Sequence, residues 1–256
     1  MDIITGRHNP TFKTLLGLMR GREVMMLEGR RLVEDALLRG LIPRMAAVTA
    51  DHLDSSGEPG CGYVIISEKL FAALSDTRSP QGILAFFPLP WAEMVEVRSL
   101  EKLVILDGVQ DPGNVGTIIR TAEAFGFSGM IVMEGTANPF LPKAVRSSMG
   151  SCLGVRIARG TLDDLGHLPH RIISLVPSGR AKLSPGIFSG RVALCFGQEA
   201  SGVSEEVLRL SRDAVQIPMQ GRTESLNVAV AAGIVLACAA GSIQEDPLRS
   251  EFPHQR

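Results

Sequence analysis

Five polar residues stand where a chain can present chemistry to a ligand. Glu199 sits on a loop between Gly197 and Gly202, directly after the apolar run Val192–Phe196. Ser225 and Asn227 open a segment of small residues that runs to Ala240, just past the loop Gly221–Glu224. Asn114 and Arg120 lie across a loop-to-helix start in DPGNVGTIIRTAEAFG, so the loop geometry decides whether they meet. The chemistry open to such groups is orientation and charge stabilisation. Glycine lets backbone approach a ligand closely. A carboxylate can hold a guanidinium by a two-point pair, so Glu199 is expected to orient Arg120. A guanidinium stays charged and suits phosphates and developing oxyanions. Each residue taken alone has a plainer reading: Arg120 as a surface helical arginine, Glu199 as a solvated carboxylate, Ser225 and Asn227 as helix caps.

The elements that would position these groups alternate. Val192–Phe196 and Ala214–Ile217 are short β-branched runs, read as buried strands. Ser204 is placed to cap a helix with Glu205 and Glu206 in its first turn. Two strand ends thus put Gly-rich loops and polar side chains on one rim, and that rim is where open α/β sheets bind ligands. Upstream, Leu103–Leu106, Gly129–Met133, Val155–Ala158 and Arg171–Val176 read as strands, and Thr117–Phe125 and Pro142–Met149 as helices. The pattern predicts a mostly parallel sheet covered on both faces. Residues 1–90 repeat the alternation on a smaller scale. Asn9-Pro10 reads as a break, followed by a helix over Thr11–Met19. Another helix spans Gly29–Leu38 with Leu32, Ala36 and Leu37 inward, and the stretch 51–62 reads as turns. Residues 1–90 form one expected domain, 91–98 a linker, 99–243 a second domain and 244–256 a flexible tail.

Composition narrows the function. The chain has 256 residues, 45% of them hydrophobic, which excludes a disordered chain. Net charge is −1, so nucleic acid would have to be met by local patches rather than a global field. Basic residues gather early, from Arg7 through Arg30 and Arg31 to Arg44. The four cysteines form no CxxC pair, which speaks against a zinc site or a disulfide framework and fits a reducing cytosol. No apolar signal segment opens the chain, and Val228–Ala240 is too short to span a membrane. No GxGxxG follows the first strand of either half, and no GxxxxGK[ST] occurs, which disfavours dinucleotide oxidoreductases and P-loop enzymes.

Three stretches stand together in the second half: NVG with Arg120, Gly197-x-Glu199-x-x-Gly202, and IPMQGRTESLNVAVAAG from Ile217 to Gly233. In this order and separation they resemble the three signature motifs of the SpoU (TrmH) family of RNA ribose 2′-O-methyltransferases, over roughly Lys102 to Ser242. LEGRRLVEDAL and QGILAFF resemble, less closely, the L30e-like substrate-binding domain of these enzymes. The resemblance implies an α/β fold: a parallel-sheet methyltransferase domain with a deep trefoil knot, plus an N-terminal L30e-like α/β domain. Pattern alone does not predict threading, because threaded loops are almost absent from proteins. The resemblance further implies S-adenosylmethionine as cofactor, a homodimer, and a catalytic centre of Asn114, Arg120, Glu199, Ser225 and Asn227. Leu175, Val176, Gly197, Gly202, Ile217, Pro218, Met219 and Leu226 match cofactor-binding positions, with Ser178 beside them. Arg7, Arg30, Arg31 and Arg146 are the expected RNA contacts. The expected substrate is ribosomal RNA of the 23S type ahead of transfer RNA, in the cytoplasm, with no metal and no membrane. The rival reading is a catalytically silent RNA-binding protein of the same fold.

Overall fold

The computed structural model describes residues 2–56, 59–77, 79–177, 179, 181–221 and 225–242. Ser178, the loop residues 222–224 and the tail expected from 244 on lie outside these. Contacts divide the chain into two units, Met1–Pro90 with Asn138–Leu153, and Trp91–Ala137 with Gly154–Arg256.

The first unit is built on a four-stranded sheet of β1 (Val24–Glu28), β2 (Met45–Val48), β3 (Val64–Ile65) and β4 (Ile83–Pro88), in the order β1-β4-β2-β3. β4 runs antiparallel to both β1 and β2, and β3 runs parallel to β2. Phe12, Leu15, Met26, Phe71, Leu84 and Phe86 fill the core on one side. Helix α1 (Pro10–Arg20) begins where a break was expected. Asn9 Oδ1 accepts from the Thr11 and Phe12 amides at 2.9 and 3.4 Å, and Pro10 fills the first helical position, where no amide hydrogen is needed. Helix α2 (Arg30–Leu38) buries Val33 and Ala36, while Leu32 and Leu37, expected inward, are half-buried. Helix α3 (Ala50–Ser56) occupies part of the stretch read as turns, and α4 (Glu68–Ala72) follows β3. The insertion 138–153 was expected in the second domain. It belongs here because its helix α7 (Pro142–Ser148) packs on β1 and buries Ala144 and Val145.

The second unit carries a seven-stranded sheet of β5 (Lys102–Asp107), β6 (Gly129–Val132), β7 (Arg156–Arg159), β8 (Arg171–Leu175), β9 (Ala181–Lys182), β10 (Val192–Gly197) and β11 (Asp213–Gln216). The order is β7-β6-β5-β10-β8-β11-β9, and every pairing is parallel. Strand β10 is buried along its whole length between β5 and β8, which is why it is uniformly apolar. The order reverses at the β5/β10 boundary, a topological switch point where such sheets open a crevice. Residues 91–98 are not a linker. The Ala92 amide donates to the Ile157 carbonyl at 2.9 Å, and Met94–Ser99 is helix α5, with Val97 buried. Helix α8 (Leu162–Gly166) was not anticipated, although the Thr161/Asp164 capping box marks it. Helices α6 (Pro112–Ala124), α9 (Glu205–Leu210) and α10 (Val228–Ala239) complete the unit, and α10 packs on α6.

Candidate active site

The site lies at the carboxyl ends of β5, β8, β10 and β11. Gly197 ends β10 in register with Asp107 at the end of β5. The chain then turns back on itself. The Gln198 amide donates to the Gly202 carbonyl at 2.9 Å and the Gly202 amide returns to the Gln198 carbonyl at 3.0 Å. Gly202 takes the left-handed conformation (φ 71°), and a Cβ on Gly197 would stand 2.1 Å from the Gly202 carbonyl carbon. Both glycines are therefore geometric necessities. The base of the turn is fastened to β5, since the buried Asp107 carboxylate accepts from the Ser204 amide at 2.7 Å. Ser204 in turn caps α9 by accepting from the Val207 amide at 3.4 Å. Beneath, the Cys195 thiol is pushed well above its ordinary range by burial and secondarily by the Asp107 charge, which makes it a core residue rather than a nucleophile.

Glu199 projects from the tip of this turn, and two helix starts meet it. Helix α6 begins earlier than expected, at Pro112, because Asp111 caps it through the Gly113 amide at 2.5 Å. Asn114 is thus a first-turn helical residue. Helix α10 begins at Val228, and the Asn227 Oδ1 accepts from the Ala229 and Val230 amides at 2.9 and 3.3 Å. With its oxygen occupied, Asn227 can only donate outward, and its Nδ2 does so to Asn114 Oδ1 at 3.1 Å. Asn114 then has its own Nδ2 left, which donates to Glu199 Oε1 at 2.7 Å. The cap on α10 therefore fixes the polarity of the row Asn227–Asn114–Glu199, and the carboxylate terminates it near two helix N-termini, where negative charge is favoured.

The expected Glu199–Arg120 pair does not form. Arg120 sits on the same helix as Asn114, roughly 9 Å further along the axis and about 120° around it, with an exposed side chain. Ser225 lines the cavity without bonding to the row.

Beside the row is a cavity of about 370 Å³. Leu175 and Val176 from the end of β8, Gly197 to Gly202 from the β10 turn, and Ile217, Met219, Ser225 and Leu226 from the segment after β11 enclose it. Met219 and Leu226 are each 38% exposed, so apolar wall faces open space. Pro218 is not among the lining residues; Pro177, inside the expected stretch Leu175–Ser178, is, and so are Phe196 and Gln198, which were not foreseen. The fastening residues Asp107 and Thr136 were also missed. Thr136 Oγ1 accepts from the Gly108 amide at 2.8 Å and donates to the Leu106 carbonyl at 2.9 Å. The legible signal for Asp107 was a carboxylate ending an otherwise apolar strand.

All four arginines expected to meet RNA belong to the first unit, Arg146 included. Arg30 pairs with Glu34 at 2.6 Å and Arg146 with Asp76, while Arg7 and Arg31 are exposed. Among the described residues no group of three or more His, Cys, Asp or Glu side chains could hold a metal ion.

Residues 101–237 match the model of the SpoU rRNA Methylase family, and residues 20–85 match that of the MRM3-like substrate binding domain. The chain is 33% identical over 216 residues to the 23S rRNA (guanosine(2553)-2′-O)-methyltransferase RlmP of Bacillus subtilis, covering 82% of this chain and 86% of that protein. It is 29% identical to rRNA methyltransferase 3A, mitochondrial, of Danio rerio, over 83% of this chain and 62% of that one. Among solved structures, the AdoMet-bound rRNA methyltransferase of Sinorhizobium meliloti superposes with a TM-score of 0.82 at 29% identity, over 95% of this chain and 99% of that chain.

Proposed function

The chain belongs to the SpoU rRNA Methylase family, and on that footing we propose that it transfers the methyl group of S-adenosylmethionine to a ribose 2′-hydroxyl of structured RNA. The observation that carries the reading is the polarised row Asn227–Asn114–Glu199 at the edge of the cavity. Ribosomal RNA of the 23S type is the proposed substrate ahead of transfer RNA, in keeping with the activity in the name of RlmP, and the cytoplasm the proposed compartment. No helix among the described residues is long and apolar enough to cross a membrane.

The residues present fit the cofactor. The cavity is within the range of about 300–1,000 Å³ usual for small ligands. Its walls at Leu175, Val176, Ile217, Met219 and Leu226 are apolar, and Gly197 and Gly202 keep side chains out of the turn. Bound there, S-adenosylmethionine supplies an activated methyl group. The chain's own task is to orient the hydroxyl and remove its proton. Glu199 Oε1 is held by Asn114, which leaves Oε2 to take that proton as the oxygen–methyl bond forms. Arg120, permanently cationic, is assigned the RNA phosphate and the developing negative charge on oxygen. Ser225 is assigned a hydrogen bond at the cavity mouth.

The first unit, with the proposed L30e-like character, would hold RNA through Arg7, Arg30, Arg31 and Arg146, and the second would hold cofactor. A trefoil knot is proposed on connectivity. From β11 the chain must cross the ends of β8 and β10, past the cavity turns, to reach α10 beside α6. A homodimer is proposed because Val230 is 53% exposed on a mostly buried apolar helix.

The test is methyl transfer from radiolabelled S-adenosylmethionine to unmodified transcripts of 23S rRNA, 16S rRNA and tRNA, followed by alkaline hydrolysis. Label retained in alkali-resistant dinucleotides reports ribose methylation. Label in mononucleotides would mean base methylation and overturn the reading. RNA binding without transfer would restore the silent-binder alternative.

A further inference from the structure

A second cavity, of about 650 Å³, lies wholly within the first unit. It opens between the end of α2 and the approaches to β2 and β3, and its walls include Leu41, Ile42, Met45, Cys61 and Tyr63. Ile42 in the cavity wall is 79% exposed, and Leu38 at the end of α2 is 87% exposed. Among the described residues that line the cavity, Arg44 is the charged side chain. The wall also contains the chain's one tyrosine. Every lining residue falls within residues 20–85, the span matched to a substrate binding domain.

We propose that this cavity takes an unpaired nucleobase of the substrate RNA, with the base against Tyr63 and the apolar wall and its phosphate at Arg44. Proteins read single-stranded RNA in this manner, by splaying a base onto an aromatic side chain, with cations tracking the backbone. The site is distinct from Arg30 and Arg31, which stand at the opposite end of α2. The inference rests on the RNA methyltransferase reading, and an aromatic ring and a cation in one wall favour RNA over an apolar protein segment.

Cys61 makes the site addressable. It is half-exposed in the cavity wall, whereas Cys152, Cys195 and Cys238 are buried, so alkylation of the native protein reads Cys61. Burial raises its thiol above the usual value, which calls for labelling at alkaline pH. The experiment follows iodoacetamide labelling of the full chain with and without octa-adenylate RNA or a fully paired RNA duplex. Octa-adenylate is expected to slow labelling in proportion to occupancy, and the duplex to leave it unchanged. In fluorescence anisotropy, Tyr63→Leu should weaken octa-adenylate binding by roughly ten-fold or more. Tyr63→Phe should retain binding, and Arg44→Gln should lower the salt slope by about 0.7.

Unprotected Cys61 together with wild-type affinity and an unchanged salt slope in Arg44→Gln overturns the proposal, even if Tyr63→Leu fails to fold. Dissociation of a dimer by Ile42→Asp with RNA affinity intact would also overturn it, in favour of a contact between copies. A wild-type chain that binds no RNA at all would instead defeat the methyltransferase reading, so the two failures are distinguishable.

Discussion

Asn227 acts at two places at once, and a single substitution separates them. Its oxygen caps α10, and its amide nitrogen sets the direction of the bond to Asn114. Aspartate caps a helix about as well as asparagine but has no hydrogen to give. In Asn227→Ala the cap is lost, at about 1 kcal/mol. Little is added at Asn114, which water can reach and satisfy. In a chain of this size that is a fall in Tm of about 2–4 °C. In Asn227→Asp the cap survives, and a charge at the helix N-terminus contributes about 0.3–1 kcal/mol, partly offset by the nearby Glu199, so Tm should stay within about 2 °C of wild type. Activity should not follow stability. With carboxylates on both sides, Asn114 has no donor for its oxygen and the row loses its polarity. Losing the neutral amide–amide bond from Asn227 to Asn114, about 0.5–1.5 kcal/mol, should slow single-turnover methyl transfer by roughly 2- to 10-fold in both variants. Thermal unfolding and single-turnover assays on the same preparations decide it. A wild-type rate in Asn227→Asp would refute the polarity argument, and equal Tm losses in the two variants would refute the capping arithmetic.

Glu199→Gln should slow transfer by about 10²–10⁴-fold, with the deficit shrinking as pH rises, measured as a pH–rate profile against wild type. Arg120→Ala should lose about 2.7–4 kcal/mol of transition-state stabilisation and Arg120→Lys only part of it, with cofactor affinity by calorimetry nearly constant in both. Full activity in the alanine variant would remove Arg120 from the reaction. Gly197→Ala must displace backbone that would stand 2.1 Å from the new carbon, so cofactor binding and Tm should fall together. His170 is held below its ordinary pKa by burial first, against a hydrogen bond to the Leu100 carbonyl that works the other way. The unfolded chain therefore binds this proton first, so stability is full above about pH 6.5 and declines below it. His170→Gln should flatten that decline in urea midpoints measured at pH 7.5 and 5.5.

Most sheet strands were legible as short apolar runs bounded by turn residues, but the two-residue β9 (Ala181–Lys182) carries no such run and was not. The helix starts were legible in principle and misread in practice. Asn9-Pro10 and Asp111-Pro112 look like breaks, yet both are a capping side chain followed by a proline in the first helical position. That error placed Asn114 on a loop and suggested that Glu199 would reach Arg120 rather than Asn114. The membership of 138–153 in the first unit was not legible, since it depends on α7 finding β1 more than a hundred residues upstream. The same contact limits what a truncation can show. Removing residues 1–90 would strip the surface that buries Ala144 and Val145, so the separate roles of the two units are better probed by point substitution and salt dependence. Composition and spacing also carry no record of strand order, and the insertion of β10 between β5 and β8 had no sequence signature.

That insertion has a consequence for how the protein is made. Lys102 of β5 lies opposite Val192 of β10, so a chain emerging at about 5–20 residues per second leaves the β5 edge waiting roughly 5–20 s for its partner. During that interval β5 and β8 both offer unsatisfied edges, the feature most prone to pairing with the wrong chain. Neither the turn that carries Glu199 nor the helix that supplies Asn227 exists until synthesis has passed that point. A prematurely terminated product thus has a partial sheet and no cavity. Competence for methyl transfer arrives only once β10 and α10 have been made, after the most hazardous stage of assembly is over.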